Sequence, residues 1–569
     1  MWRFTKVFIR IVILCLSVTF VVVAQDGQIK VAREKLNSGD AKGAIELLLG
    51  IVKDYPKTAD VHYWLGMSYY KNGQMNEALH SALAAFAVKP KHLLNRNLML
   101  DIYLRKERFE DAKKELDFLL KESPKDLNLR LKNAECLIGL NQFEAASIEL
   151  SKLEVQKDLS QSLKIRVLLL LGDVYAKQRV HATAIAYYNK ALSLSSNSVD
   201  TYLKLGKVYF KEQQYNEALK QYLEAVRLDS NSREGNLNVG YIYFNGGKSN
   251  PQQYGNAIYY LQRYTMLEPE DHQGYLFIGK SYHALRSYRN AIVPLERAAE
   301  LDTSKTRDET LKVLAESYSG VNEHDRVIRT YEMLEQKAYP LDARDYVRLG
   351  LSYKAMKDTA RTARFLSKAA ELDPQYQSLY QDIGTMYYAA KNYAEAMQWF
   401  GKRVTATPND STVATAWQNL GLCQFYSAKN KQDTLSALSS IRKAINLKPY
   451  SQSYWLVFAQ ISERADSVEA SKAAYEIAVK MDSNNVQAYF GLASISYRLK
   501  KNDLAIQYFK KVISLDEKHK YAPYYLAQCY LRQKKNSVAI PHLKKYLELD
   551  STGPFSADAK RILKQLGVN

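Results

Sequence analysis

Catalysis needs nucleophiles, titratable groups or metal ligands at fixed spacings, and this chain of 569 residues supplies few of them. Its cysteines, Cys15, Cys136, Cys423 and Cys529, form no Cys-x-x-Cys pair, and its histidines form no His-Glu-x-x-His segment, so no zinc site is written into the sequence. The Gly-x-Gly-x-x-Gly pattern that cradles dinucleotides is missing, as is the Gly-x-Ser-x-Gly turn that presents a nucleophilic serine. Paired carboxylates such as Glu224 and Asp229 fall where solvated helix surfaces would put them. What recurs instead is tyrosine, a large ring with a hydroxyl and little side-chain entropy to lose, which suits recognition. The expected chemistry is binding, with no cofactor, no metal and no catalytic residue.

The elements that must position those rings are legible in the stretch YLKLGKVYFKEQQYNEALKQYLEAV, Tyr202 to Val226. Counting from Val199 as position 1, Tyr202, Leu205, Gly206 and Tyr209 occupy positions 4, 7, 8 and 11 and share one helix face. Ala218, Tyr222 and Ala225, at positions 20, 24 and 27, share one face of a second helix. Gly206 and Ala218 are small where the two helices would cross, so the backbones can approach while the tyrosines fill the flanks.

The pattern repeats about fifteen times, from near residues 25, 59, 93, 127, 165, 199, 233, 272, 308, 343, 377, 414, 452, 486 and 520. Position 8 is glycine or alanine in every copy except at Leu100, and position 20 is usually alanine. Proline often closes the unit at position 32, as at Pro56, Pro90, Pro124, Pro269, Pro374, Pro408 and Pro449, where it stops the second helix. This resembles the tetratricopeptide repeat (TPR), a helix-turn-helix unit of about 34 residues. The resemblance covers about Gln25 to Ser551 and implies an all-α, TPR-type superhelical solenoid. A helix within residues 552–569 is expected to cap its end.

The resemblance also implies where partners bind. In this family the concave face is formed by first-helix positions 2, 5, 9, 12 and 13. Carried over by register, that face holds Tyr63, Met67 and Tyr70, then Tyr241, Phe244, Phe277 and His283, then Tyr388, Phe425, Phe490, Tyr497 and Tyr524. Family members that clamp a chaperone's C-terminal carboxylate use a set of Lys and Asn residues that no unit here assembles. A second feature is basic: Lys500, Lys501, Lys534 and Lys535 repeat at positions 15 and 16, and Lys510, Lys511, Lys544 and Lys545 at positions 25 and 26. Stacked in register they are expected to form ridges facing an acidic partner or an anionic membrane surface.

Several departures carry expectations of their own. Extra residues at Lys248–Gln253 and Lys429–Asp433 are expected to project as loops between the helices of their units, and those at 158–164 and 302–307 to lie between units. Pro294 and Pro541 fall inside second helices and are expected to kink them. Cys136, Cys423 and Cys529 all sit at position 10, in units at least two repeats apart, too far for a disulfide and suited to buried packing.

Residues 1–24 read as an export signal: Arg3, Lys6 and Arg10 precede an apolar run from Ile11 to Val23, with cleavage expected ahead of Gln25 and an uncleaved anchor as the alternative. Leu14 before Cys15 argues against lipidation. The formal net charge of +20 favours acidic protein partners or anionic surfaces, and nucleic acid is not expected. The whole reads as a non-catalytic scaffold exported to a periplasm or cell envelope, binding partner peptides or helices along an aromatic groove. Tyrosine faces also stack on sugars, so a glycan or peptidoglycan strand is the alternative occupant.

Overall fold

The computed structural model describes residues 26–408 and 410–568. The export-signal expectation falls on residues 1–24 and lies outside them. Among the described residues the secondary structure is helical, and the helices alternate as fifteen pairs followed by one single helix. No described helix is long and apolar enough to cross a membrane. The fold is the expected all-α, helix-turn-helix solenoid of tetratricopeptide type. Its contacts group into two bodies, one ending at Phe277 and one beginning at Ile278.

Each pair is held by close approach at one crossing point. The residue at position 8 is buried in all fifteen pairs, and the alanines at position 20 have no exposed surface. Over them, except at Ala82, lies a large side chain at position 24. In the first body a Cβ added to Gly172 would come within 2.3 Å of the Tyr188 ring, and one at Gly206 within 2.8 Å of the Tyr222 ring. In the second body, Phe400 fills the space over Gly384 and Leu366 that over Gly350 in the same way. Tyr188, Tyr222, Phe400 and Leu366 are each nearly or wholly buried. Burial of such a side chain is worth about 1.5–3 kcal/mol, so this one position repeated along the chain supplies much of the cohesion.

The turn inside each pair has a second recurring device. In thirteen repeats position 15 has a left-handed backbone, with glycine only at Gly39 and Gly73 and side chains elsewhere, including Gln213, Lys500 and Lys534. The closure is the Schellman pattern: Gln214 N–H donates to the Tyr209 carbonyl at 2.9 Å and Gln213 N–H to that of Phe210 at 3.0 Å. The repeats beginning at 233 and 414 have longer links and no such residue. Second helices end where expected: those ending at Asp54, Val88, Glu122, Leu267, Leu372, Ala406 and Leu447 each have a proline two residues beyond.

Three expectations about departures are corrected. The extra residues at 158–164 lengthen a helix as well as a link, since Ser160 caps a first helix that starts at Gln161 and runs to Lys177. Residues 302–307 likewise divide, with Asp302 accepting from Ser304 N–H at 2.7 Å and a helix starting at Thr306. Lys429–Asp433 does not form a projecting loop. Asn430 and Asp433 make a reciprocal capping box, and the added residues become the first turn of a helix spanning Lys431–Leu447. Only 247–252, spanning most of Lys248–Gln253, is a link of the expected kind, between helices Arg233–Gly246 and Gln253–Leu267. The helices Tyr288–Leu301 and Asn536–Leu549 run without interruption through Pro294 and Pro541.

The terminal helix, Ser556–Gln565, covers the last pair. Ala559 and Leu563 join a core with Ala539, Leu543 and Tyr546, and Phe555 N–H donates to the Tyr546 hydroxyl at 3.0 Å. Cys136, Cys423 and Cys529 are free and buried, and burial pushes their thiols up to about 11, about 12 and about 11 respectively.

Two substitutions test this account. Gly206→Val is expected to destabilise by about 1–3 kcal/mol, read as a lower midpoint in thermal unfolding, because its methyl groups meet the Tyr222 ring. Gln213→Gly is expected to stabilise by up to about 1 kcal/mol, because it relieves a left-handed side-chain residue.

Candidate functional site

The first helices of successive repeats touch one another: Ala59–Lys71 meets Leu93–Arg105, Leu127–Gly139 meets Gln161–Lys177, and the four first helices from Ala414–Ser427 to Ala522–Arg532 meet in succession. Their outward side is therefore a continuous face within each body. Across it the side chains meet along a diagonal, in which position 12 of one repeat leads to position 9 of the next and position 6 of the one after.

In the first body this diagonal is aromatic. Phe210, Tyr241 and Phe277 occupy positions 12, 9 and 6 of three repeats, with ring centroids 5.9 and 5.1 Å apart. Phe244 lies 5.2 Å from Phe277, and Tyr254 5.9 Å from Phe244. Each of Phe210, Tyr241, Phe244 and Phe277 is half-buried, so the edges lock together while part of each ring faces outward. The structure thus brings Tyr241, Phe244 and Phe277 together. Phe277 is at position 6, outside the expected lining positions, and reaches the strip through the diagonal. Phe210 was not among the expected residues, although it holds position 12.

Elsewhere the same diagonal is ionic. Asp101 and Lys132 pair at 2.5 Å, as do Asp173 and Lys204, each from position 9 to position 6 of the next repeat. A groove of about 380 Å³ beside the second pair is lined by Ile138, Lys177, Lys207 and Lys211. In the second body His283 meets Glu316 at 3.2 Å, and Arg348 meets Glu316 at 3.0 Å. Arg348 also meets the fully buried Asp345 at 3.1 Å, and Lys312 meets Asp345 at 2.8 Å. The Tyr331 hydroxyl donates to Asp345 at 3.0 Å. Burial would raise the Glu316 carboxyl, but the His283 hydrogen bond and the Arg348 charge outweigh it and hold the group below its usual range. His283 is therefore tied to a fixed network of hydrogen bonds and ion pairs.

The other expected lining residues divide. Tyr63 is buried against Trp64 and His92 and does not line an open face. Tyr524 is buried too: the terminal helix covers it, its ring stacks on Phe555 at 4.4 Å and its hydroxyl donates to Asp558 at 2.7 Å. Met67 and Tyr70 are half-buried, with the Arg105 guanidinium 4.4 Å over the Tyr70 ring. Tyr388 and Phe425 both contact Tyr426, whose ring is 52% exposed. Burial beside Tyr426 pushes the Tyr388 hydroxyl up to about 12. Phe490 packs on His519 and Phe509, and Tyr497 on Tyr525.

The lysines form separate rows. Lys500, Lys501, Lys534 and Lys535 are exposed in the turns within pairs. Lys510, Lys511, Lys544 and Lys545 sit well along second helices, about 13 Å further along the axis at the usual rise. Lys510 lies over the Tyr530 ring and Lys511 over that of Tyr489, while Lys545 pairs with Glu548 at 3.3 Å. Lys544 borders a depression with Leu547, Lys560, Leu563 and Lys564.

The ion network yields a pH prediction. With its folded-state pKa lowered, Glu316 contributes stability that is complete above its unfolded value, about 4.3, and is lost as pH falls through the folded value. Amide-exchange protection in the helices Thr306–Gly320 and Ala343–Ala355 is expected to drop in that acid range. Asp345→Ala, which removes the buried carboxylate shared by Lys312, Arg348 and the Tyr331 hydroxyl while Asp342 and Glu316 still pair the two cations, is expected to cost about 1–3 kcal/mol at neutral pH.

Comparison with known proteins follows the same lines. Family models described as tetratricopeptide repeat match residues 30–90, 103–161 and 457–520, and one described as TPR repeat matches 172–213 and 206–247. Anaphase-promoting complex subunit 3 of Schizosaccharomyces pombe is 20% identical over 266 residues, which is 44% of this chain and 38% of that protein. This chain thus spans well under half the length of that relative. Among solved structures, a tetratricopeptide repeat protein from Parabacteroides merdae covers 51% of this chain and 98% of its own, at 16% identity and TM-score 0.35. The Cut9–Hcn1 hetero-tetramer of the APC/C covers 89% and 96%, at 16% identity and TM-score 0.31. Naa15/Naa10 bound to HypK covers 95% and 96%, at 11% identity and TM-score 0.31.

Proposed function

We propose that this chain of tetratricopeptide repeats is a non-catalytic adaptor that holds partner proteins through its first-helix face, after export to a bacterial periplasm or cell envelope. The observation that carries the reading is the strip of Phe210, Tyr241, Phe277 and Phe244, four adjoining rings contributed by three successive first helices. Rings held by their neighbours lose little entropy when a partner covers them, and aromatic clusters of this kind dominate binding energy at interfaces. A peptide or a partner helix laid across the three helices would bury them together. The non-catalytic part of the reading is supported by the helix pairs, which among the described residues run from residue 26 to Leu549. The exported location rests on the basic and apolar pattern of residues 3–23.

A photo-crosslinking amino acid placed at Phe277 is expected to capture a discrete polypeptide in envelope extracts, and Tyr241→Ala with Phe244→Ala to reduce that capture at least tenfold. Capture that survives the double substitution would remove the strip from the reading, and full competition by purified cell-wall polymer would make it a sugar-stacking surface instead. Fractionation of cells, with cytoplasmic and periplasmic markers, checks the location.

A further inference from the structure

The last three repeats carry an unbroken row of arginines on their first-helix face. Arg464, Arg498 and Arg532 occupy position 13 of the repeats beginning at 452, 486 and 520, and all three are exposed. Two of them lie against position 12 of the preceding repeat: Arg464 sits 5.3 Å over the Phe425 ring and Arg532 3.6 Å over that of Tyr497. Arg532 also donates to the Tyr497 carbonyl at 2.8 Å. Among the described residues none of the three guanidinium groups has a carboxylate within ion-pair distance. The cations at position 6 of other repeats, Lys132, Lys204 and Arg348, each hold one. Position 9, which is acidic at Asp101, Asp173 and Glu316, is here Gln460, Ser494 and Gln528.

We propose that Arg464, Arg498 and Arg532 form a docking row for an extended acidic segment of a partner protein with a carboxylate at every third residue. The spacing carries the choice. First helices in contact lie about 8–10 Å apart, so the guanidinium groups recur at about that interval. A segment in the extended polyproline II conformation advances about 3.1 Å per residue and presents every third side chain on one side, so three residues match one helix spacing. Guanidinium forks pair with carboxylates in bidentate geometry, and stacking on Phe425 and Tyr497 preorganises two of them. Gln460, Ser494 and Gln528 run beside the row and offer donors and acceptors to the bound backbone, although Gln528 already donates to Asp558 at 3.3 Å. The one acid within the row, Glu463, is half-buried and accepts the Tyr475 hydroxyl at 3.4 Å. The proposal rests on the adaptor reading for its use of the first-helix face, but it employs none of the residues of the aromatic strip.

Fluorescein-labelled peptides of one composition, with three glutamates at every third or at every second residue, would be titrated into the full chain by anisotropy. The every-third peptide is expected to bind at least tenfold tighter and to weaken steeply with salt. Arg464→Gln, Arg498→Gln and Arg532→Gln are each expected to weaken it about tenfold, with Arg→Lys at the same positions retaining part of the affinity and the exposed Lys42→Gln, in the first repeat, leaving it unchanged. Equal binding of both registers, or affinity indifferent to the arginine substitutions, would overturn the row. Tighter arginine-dependent binding of a single-stranded oligonucleotide would overturn it in favour of nucleic acid. Crosslinking at Phe277 reports on the aromatic strip separately, so the two readings can fail independently.

Discussion

The constraint on which the structure depends is how closely two helices can pass. At the crossing point of most pairs, glycine or alanine at position 8 meets alanine at position 20, and a larger side chain at position 24 spreads across the space they leave. The Tyr188 and Tyr222 rings lie where a Cβ on Gly172 or Gly206 would intrude. Because this fit is local, every pair can satisfy it separately, and the chain can extend by repetition without one large core. Tyrosine at position 24 also shows why buried polar groups are affordable here: the Tyr188 hydroxyl donates to Asp173 at 2.7 Å, at the edge of the first-helix face.

Repetition of the fold places side chains on a lattice, and the lattice is indifferent to their chemistry. The diagonal from position 12 through 9 to 6 joins Phe210, Tyr241 and Phe277 in one place and His283, Glu316 and Arg348 in another. Rings interlock along it by edge contact, whereas charges pair along it and become part of the structure. A binding face is therefore distinguished by what the lattice leaves unsatisfied: outward ring faces in the first body, and guanidinium groups without carboxylates at the end of the second.

The departures from the period obey the same economy. Extra residues are absorbed into helices where a cap is at hand, as Ser160 and the Asn430–Asp433 pair show, and they remain a link only at 247–252. A helix turn satisfies its own backbone groups, whereas a loop must find partners for them. Proline is tolerated at Pro294 and Pro541 because each lies in the second turn of its helix and forgoes a single hydrogen bond.

The sequence by itself determined the helix pairs, their crossing residues and their ends, because periodicity, small side chains and prolines act over a few residues. The helix starts at Val199, Arg233 and Val486 fall on the first residue of their repeats. It also pointed to Tyr241, Phe244 and Phe277, since register alone puts them on first helices. Only the tertiary structure decided which face residues stay open. Tyr63 and Tyr524 share position 5 with Phe490, yet His92 and the terminal helix bury the first two, and those neighbours lie 29 or more residues away in the chain. Whether His283 or Arg464 is free depends on a carboxylate one repeat onward, a relation between helices that no single-helix pattern contains.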